Sequence, residues 1–261
     1  MMVFKRSIRV AILCLIAPLA LMACSEKGSR NGTSLADVGV SAPVLTTASA
    51  SESNVLVIGG TKGCGLEVVR LLLERGHSVT AIARHPENMP LEHKNLQNLL
   101  GDVTNADRIA ELVPGHEVIV SAIGVGPTRE PVSVFSQGMT NVLAALASPE
   151  TTRLITVSGI GAGDSRGHGS FFYDNILWPL LLKTVYLDKD KQEAMIRSSN
   201  TQWTIVRPGF LTDGPALASY RILDDMEGVT AGSITRADVA HYIVAAIEQN
   251  LQLGETVLLS N

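Results

Sequence analysis

The feature that most constrains this chain is an apolar run that ends in a glycine-rich loop and opens into a helical pattern. Asn54-Val55-Leu56-Val57-Ile58 is followed by Gly59-Gly60-Thr61-Lys62-Gly63-Cys64-Gly65. A short continuous apolar run suits a strand buried on both faces. From Gly63 to Arg75 the apolar residues Leu66, Val69, Leu72 and Leu73 recur at helical spacing, and Gly76 supplies the stop. Strand, glycine turn and helix in that order begin a βαβ unit. The loop spacing is GxxxGxG. Gly59 allows a tight turn at positive φ, Gly63 lets the backbone approach a pyrophosphate, and Gly65 permits close helix–strand packing. The helix start then offers free N–H groups and a partial positive charge to phosphate. Gly59, Thr61, Lys62, Gly63, Cys64 and Gly65 are therefore the expected phosphate-binding residues. A P-loop is excluded, because no Gly-Lys-Ser/Thr follows.

The alternation continues. Strand patterns occupy 78–83, 96–100, 117–122, 153–158, 203–207 and 256–259, with helical patterns over 132–146, 187–199 and 236–249. This predicts one α/β domain over 54–261, a doubly wound parallel sheet of the Rossmann fold. Its ligand should lie at the carboxyl ends of the strands, near the switch point. A hydrophobic content of 46% provides for a sizeable core. A net charge of -4 and only 4% aromatic residues argue against a nucleic-acid binder. The second strand ends Ala83-Arg84-His85. An NAD site usually holds an acid there, for the ribose 2′-hydroxyl. A guanidinium suits a 2′-phosphate instead, and Lys62 adds a second cation. The expected cofactor is NADP, as NADPH.

Further segments carry a family resemblance: Gly101-Asp102-Val103, Ser121-Ala122-Ile123-Gly124, Gly138-Met139-Thr140-Asn141-Val142, Val157-Ser158-Gly159-Ile160-Gly161, Asp188-Lys189 and Trp203-Thr204-Ile205-Val206-Arg207-Pro208-Gly209. With the glycine loop, they resemble the atypical branch of the short-chain dehydrogenase/reductase superfamily, which includes NmrA-like regulators and flavin reductase-like proteins. The resemblance covers nearly all of 54–261. It implies that Asp102 and Val103 flank the adenine, that Ala122 and Gly124 line the middle of the cofactor, and that Pro208 and Gly209 lie near the nicotinamide. It also implies that Ser158 orients a substrate carbonyl. The superfamily's usual acid is the tyrosine of Tyr-x-x-x-Lys. Here Tyr186-Leu187-Asp188-Lys189 is one residue short, although a helix still sets i and i+3 on one face. Tyr186 and Lys189 are thus the expected catalytic pair. The alternatives are a packing aromatic for Tyr186 and a solvated charge for Lys189. Tyr173, expected on a loop, is a second proton donor to weigh. Cys64 reads as a small packing residue rather than a redox thiol, and the six histidines show no metal-ligand spacing.

Residues 1–53 read as an address. Lys5, Arg6 and Arg9 precede an apolar run from Val10 to Met22, as in a secretory signal and too short to span a membrane. The run ends Leu21-Met22-Ala23-Cys24, which resembles the lipobox of bacterial lipoproteins. That implies removal of 1–23, acylation of Cys24 and a lipid anchor on the periplasmic side. Ser25 in place of Asp favours the outer membrane. Residues 24–53, rich in Ser, Ala, Gly and Thr, are expected to be a flexible tether. The function expected from these readings is NADPH-dependent reduction of a small carbonyl, quinone or flavin-like acceptor. The rival is a non-catalytic NADP-binding sensor or scaffold without turnover. The oligomeric state is not legible in these patterns.

Overall fold

The described residues, 40–45 and 51–261 of a computed structural model, begin with strands β1 (Val40–Ser41) and β2 (Asn54–Ile58). Helix α1 (Gly63–Glu74), β3 (Ser78–Ala83), β4 (Leu96–Leu100), α2 (Ala106–Leu112) and β5 (Val118–Ser121) follow. Next come α3 (Val134–Ala144), β6 (Arg153–Val157), α4 (Lys183–Arg197), β7 (Gln202–Pro208) and β8 (Phe210–Thr212). The chain closes with β9 (Arg221–Leu223), β10 (Ser233–Thr235), α5 (Arg236–Gln249) and β11 (Glu255–Ser260).

Nine strands form one sheet in the order β1-β9-β11-β7-β6-β5-β2-β3-β4. From β4 across to β11 every neighbouring pair is parallel, while β9 and β1 add antiparallel at one edge. A doubly wound parallel sheet is the fold that the sequence pattern predicts. The strand order reverses between β2 and β5, which makes the mouth between their carboxyl ends the switch point. One face of the sheet is covered by α1 and α5 through residues such as Val68, Leu72, Val239 and Ile243. The other is covered by α2, α3 and α4 through Ile109, Met139 and Ile196. Because both faces are covered, β5 is buried along its whole length and is apolar at every position from Val118 to Val120 rather than alternating.

Three local differences from the sequence expectation have physical causes. First, Tyr173 does not lie on a loop. Tyr173–Leu182 is a π-helix that runs directly into α4, with Pro179 inside it. Proline cannot donate to an i−4 carbonyl and crowds that turn, so a wider turn accommodates it. Second, the Asp188–Lys191 run is not simply a solvated face. Asp188 is 1% exposed and accepts from Phe135 N at 2.9 Å and Ser136 N at 3.2 Å, so it caps the start of α3 from another helix. Third, within the stretch expected to be tether, Val40–Ser41 pairs with β9, and Ala42 and Leu45 pack against the core. Gln249 Nε2 also donates to Val44 O at 2.9 Å. The expected signal segment 1–23 and Cys24 lie outside the described residues.

Candidate functional site

The glycine loop leaves β2 and turns under the end of β5. Gly59 has φ +85°, and a Cβ there would lie 2.8 Å from Ala122 O. Its N–H donates to Ile82 O at 2.9 Å. A Cβ on Gly65 would lie 2.3 Å from Gly59 O and 3.2 Å from the Ala122 side chain. These two glycines therefore let loop, helix and strand meet. Gly63 differs: its φ is +61°, but a Cβ there would meet nothing nearer than Arg236 Nε, at 3.9 Å. It faces open space, as a ligand cradle requires. Helix α1 begins there with no side-chain cap at Lys62 and no acid in its first turn. Its first N–H groups are thus left for an anion. Lys62 is exposed. Arg236, at the start of α5, brings a guanidinium to the loop beside the Lys62 ammonium. Arg236 is bound to Asp213 Oδ1 at 2.7 Å, but that carboxylate side chain is 93% exposed. Cys64 points into the core, where burial pushes its thiol up to about 11 despite the charges of Arg236 and Lys189. Its side chain is a packing group, and only its backbone faces the loop's function.

A cleft of about 480 Å³ lies at the ends of β3 and β4, lined by Arg84, Leu100, Gly101, Asp102, Asn105 and Arg108. Arg84 is exposed. Arg108 donates to Leu100 O at 3.0 Å and to Glu111 at 2.7 Å. The Asp102 carboxylate accepts from Thr104 N at 2.9 Å and from its hydroxyl at 2.8 Å. Those bonds, with the Arg84 charge, hold it below the usual carboxylate range. Val103 does not line the cleft. It is buried, and a Cβ on Gly138 would lie 2.7 Å from its methyls, so its side chain is the seat on which α3 packs. Gly124 faces open space beside the switch point.

The chemistry-bearing side chains converge after β6. Lys189 is 6% exposed, donates to Val157 O at 3.2 Å and sits 4.2 Å from the centre of the Phe135 ring. Burial pulls its amine down to about 8, against the pull of Glu193, Cys64 and Asp188. Ser158 is buried, and its hydroxyl makes no close hydrogen bond, yet it lies near enough to Glu193 to favour that carboxylate. Glu193 takes two bonds from the fully buried Arg207, at 3.1 and 2.6 Å, and one from Arg197 at 2.9 Å. Burial alone would raise the Glu193 carboxyl, but Arg207 brings it below its ordinary value. Arg207 also holds Asp164. Pro208 O accepts from Ile160 N at 3.1 Å, and a Cβ on Gly209 would lie 2.3 Å from Gly232 O. Both residues fix the β7 end against its neighbours.

Tyr186 and Lys189 share α4 but do not meet. The Tyr186 hydroxyl lies 2.9 Å from that of Tyr173, and Tyr173 also reaches Ile160 O at 2.6 Å. A Cβ on Gly159 would fall 2.9 Å from Tyr186 Oη. Both phenols thus lean on the loop that follows Ser158.

Residues 59–250 match the model of a family described as NAD(P)H-binding. The chain belongs to this NAD(P)H-binding family. Among curated relatives, an uncharacterised chloroplastic protein of Arabidopsis thaliana is 29% identical over 203 residues, covering 75% of this chain and 72% of the relative. An uncharacterised sugar epimerase of Bacillus subtilis is 25% identical, covering 75% and 88%. Among solved structures, the anaerobillin reductase ChuY of Escherichia coli superposes with a TM-score of 0.68 at 22% identity, over 80% of this chain and 97% of that one. A short-chain dehydrogenase/reductase of Veillonella parvula in complex with NADP gives 0.65 at 16%, over 80% and 94%. At these identities the structures establish the fold, which is that of NAD(P)-binding reductases.

For a member of the NAD(P)H-binding family, the open cradle at Gly63, the uncapped α1 and the cationic cleft fit a dinucleotide. Sequence reading missed Arg236, Glu193 and Arg207 in the site. Arg236 reaches Gly63 from far along the chain, and no local pattern marks such a contact. Arg207 lies inside a quoted motif, but only the fold reveals that its partner is Glu193.

Proposed function

We propose that this protein is an NADPH-dependent reductase of a small carbonyl, quinone or flavin-like acceptor. The observation that carries this reading is the cleft beyond β3 and β4. Arg84 and Arg108 line it, and its one carboxylate, Asp102, is bonded to Thr104 through Oδ1. A 2′-phosphate would find two guanidinium partners there. The bound nicotinamide would supply a hydride. Gly59, Gly63 and the N–H groups of α1 would hold the pyrophosphate, with Thr61, Lys62 and Arg236 at its rim. Ala122 and Gly124 would bound its path across the switch point. Ser158 would orient the acceptor oxygen and Tyr186 would protonate it, with Lys189 keeping a buried amine behind the end of β6. The anaerobillin reductase and the NADP complex among the structural neighbours support a reductase with a small-molecule substrate.

The test is titration of NADPH and NADH, followed by NADPH oxidation with a panel of aldehydes, quinones and flavins. NADPH should bind more tightly. Arg84→Ala should remove most of the preference, about tenfold or more for one charge-assisted contact. Equal affinities in the wild type would refute the NADPH assignment. Tight binding with no acceptor reduced would favour the sensor reading, for which the separation of Tyr186 from Lys189 speaks.

We also propose that Cys24 is acylated and tethers the domain to a membrane on the periplasmic side, with the outer membrane favoured by Ser25. Mass spectrometry of the mature N-terminus tests this, and an unmodified Cys24 would sink it. Free NADPH is not expected outside the cytoplasm, so a tethered reductase would have to carry its cofactor with it. Co-purification of the nucleotide would support that.

A further inference from the structure

We propose that Tyr173 is the positioning partner of Tyr186, and that a hydrogen bond between the two phenols does here what a lysine does in a Tyr-x-x-x-Lys pair. This rests on the reductase reading for its catalytic meaning, but the pairing has a readout of its own.

The contacts of the lysine lie elsewhere. Lys189 Nζ donates to Val157 O and sits over the Phe135 ring, whereas the Tyr186 hydroxyl is hydrogen-bonded to Tyr173. Among the described residues no ammonium or guanidinium acts on the Tyr186 phenol; burial raises its pKa, and the Tyr173 hydrogen bond opposes that rise. Burial raises the Tyr173 phenol, and Tyr186 and then Asp174 raise it further. Tyr173 therefore resists ionisation and stays a donor.

Tyr173 has one proton and two acceptors within reach: Ile160 O at 2.6 Å and Tyr186 Oη at 2.9 Å. Its ring is held edge-on to Phe210, with centroids 5.0 Å apart, and is buried, so the hydroxyl has little freedom to leave. While Tyr186 is neutral, the Tyr173 proton can rest on the carbonyl, which only accepts. Bound NADPH would supply a hydride to an acceptor carbonyl. The carbonyl oxygen, negative once its π pair has moved onto it, would take the Tyr186 proton and leave a phenolate. Tyr173 can then turn its proton from Ile160 O to the phenolate. No proton is consumed in that turn, and Tyr186 recovers its own from solvent. A hydrogen bond that forms to the charged state only lowers the barrier to reaching it.

The test uses the full chain with a ring-fluorinated tyrosine at position 186. Fluorination lowers the phenol's pKa into a range that a folded protein tolerates, and fluorine NMR follows its ionisation. With Tyr173 present, the label should titrate about one unit lower than in the Tyr173→Phe background, a shift the size of one charge-assisted hydrogen bond. Phe keeps the ring that packs on Phe210, so folding is preserved. Lys189→Met should leave the titration of the label where it was. If an acceptor is reduced, Tyr173→Phe should lower kcat about tenfold and move the basic limb of the pH profile up, with KM for NADPH unchanged. Tyr186→Phe should cost roughly 10²–10⁴ in kcat. A label that titrates identically with and without Tyr173, or that moves with Lys189→Met instead, overturns the proposal. A shift with Tyr173→Phe in a protein that reduces nothing upholds the pairing and refutes the reductase reading alone.

Discussion

Gly63 and Gly65 lie two positions apart, yet the structure requires them to fail differently. In Gly63→Ala the new methyl would meet nothing nearer than 3.9 Å. The cost to the fold is conformational, since φ is +61° and an L-residue in the left-handed region costs roughly 1–2 kcal/mol. Against a typical domain stability of about 5–15 kcal/mol, the protein still folds, with Tm lower by only about 2–8 °C. The methyl would, however, stand in the open space where a pyrophosphate approaches the start of α1. Losing one charge-assisted N–H contact there costs about 1.5–3 kcal/mol, so NADPH affinity should fall by about ten- to a hundredfold, and further in Gly63→Val. In Gly65→Ala the methyl would fall 2.3 Å from Gly59 O and 2.9 Å from Gly59 C. Both are backbone atoms, and Gly59 is itself tied to Ile82 O. Relief requires α1 and the loop to separate, at about 3 kcal/mol or more, the upper end of overpacking costs. Melting curves with calorimetric titration of NADPH distinguish the two variants. Gly63→Ala should lose binding with a small change in Tm, and Gly65→Ala should lose both. Undiminished binding in Gly63→Ala would remove the loop from the cofactor site. A Gly65→Ala that melts no lower than Gly63→Ala would refute the close approach of helix and loop.

Arg236→Gln should weaken NADPH and NADH by equal factors of about ten or more, because the pyrophosphate is common to both. Stability should change by less than about 1 kcal/mol, since its carboxylate partner Asp213 is exposed; a loss confined to NADPH in titration would place Arg236 at the 2′-phosphate instead. Lys189 predicts a pH effect. Its folded pKa of about 8 lies below its ordinary 10.5, so between those values the unfolded chain binds the extra proton and stability rises with pH. The whole window is worth roughly 3 kcal/mol. Cys64, raised from 9.0 to about 11, acts in the opposite direction over an overlapping range. The clean measurement is therefore the unfolding free energy of wild type minus that of Lys189→Met in denaturant, which should rise between pH 8 and 10.5. A constant difference would mean that Lys189 is not held as a buried amine.

The sheet and the glycine loop were legible because their determinants are local. Val55–Ile58 must be apolar if both faces are covered, and the turn after it must accept a positive φ at Gly59. The position of Arg84, at the end of the second strand and lining the cleft, was legible for a similar reason, since a strand end has a fixed place in a βαβ unit. The edge strands were not legible. Arg221–Leu223 and Val40–Ser41 are too short to show a period, and their pairing, of β9 with β11 and of β1 with β9, makes them strands. The π-helix was hidden by Pro179, which usually signals a break.

The α4 end of the site shows most clearly why spacing alone falls short. An i, i+3 pair on a helix places Tyr186 and Lys189 on neighbouring positions of one face, but neighbouring Cβ atoms do not oblige two long side chains to meet. What decides their directions is what else needs satisfying. The end of β6 presents Val157 O to the buried Lys189 amine, and the adjoining Phe135 ring offers it a π face. The Tyr186 hydroxyl, on the side of the helix that faces Ile160 and Gly159, finds Tyr173. Tyr173 opens the π-helix that contains Pro179 and runs into α4, and its phenol meets Tyr186. We expect Pro179 to help hold the wider turn, and with it the Tyr173 phenol beside Tyr186. Pro179→Ala tests that link directly: if it lets the segment tighten to an α-helix, Tyr173 should leave Tyr186, and the fluorinated label at 186 should titrate as it does in Tyr173→Phe. A label that titrates as in the wild type would show that Pro179 has no part in setting the pair.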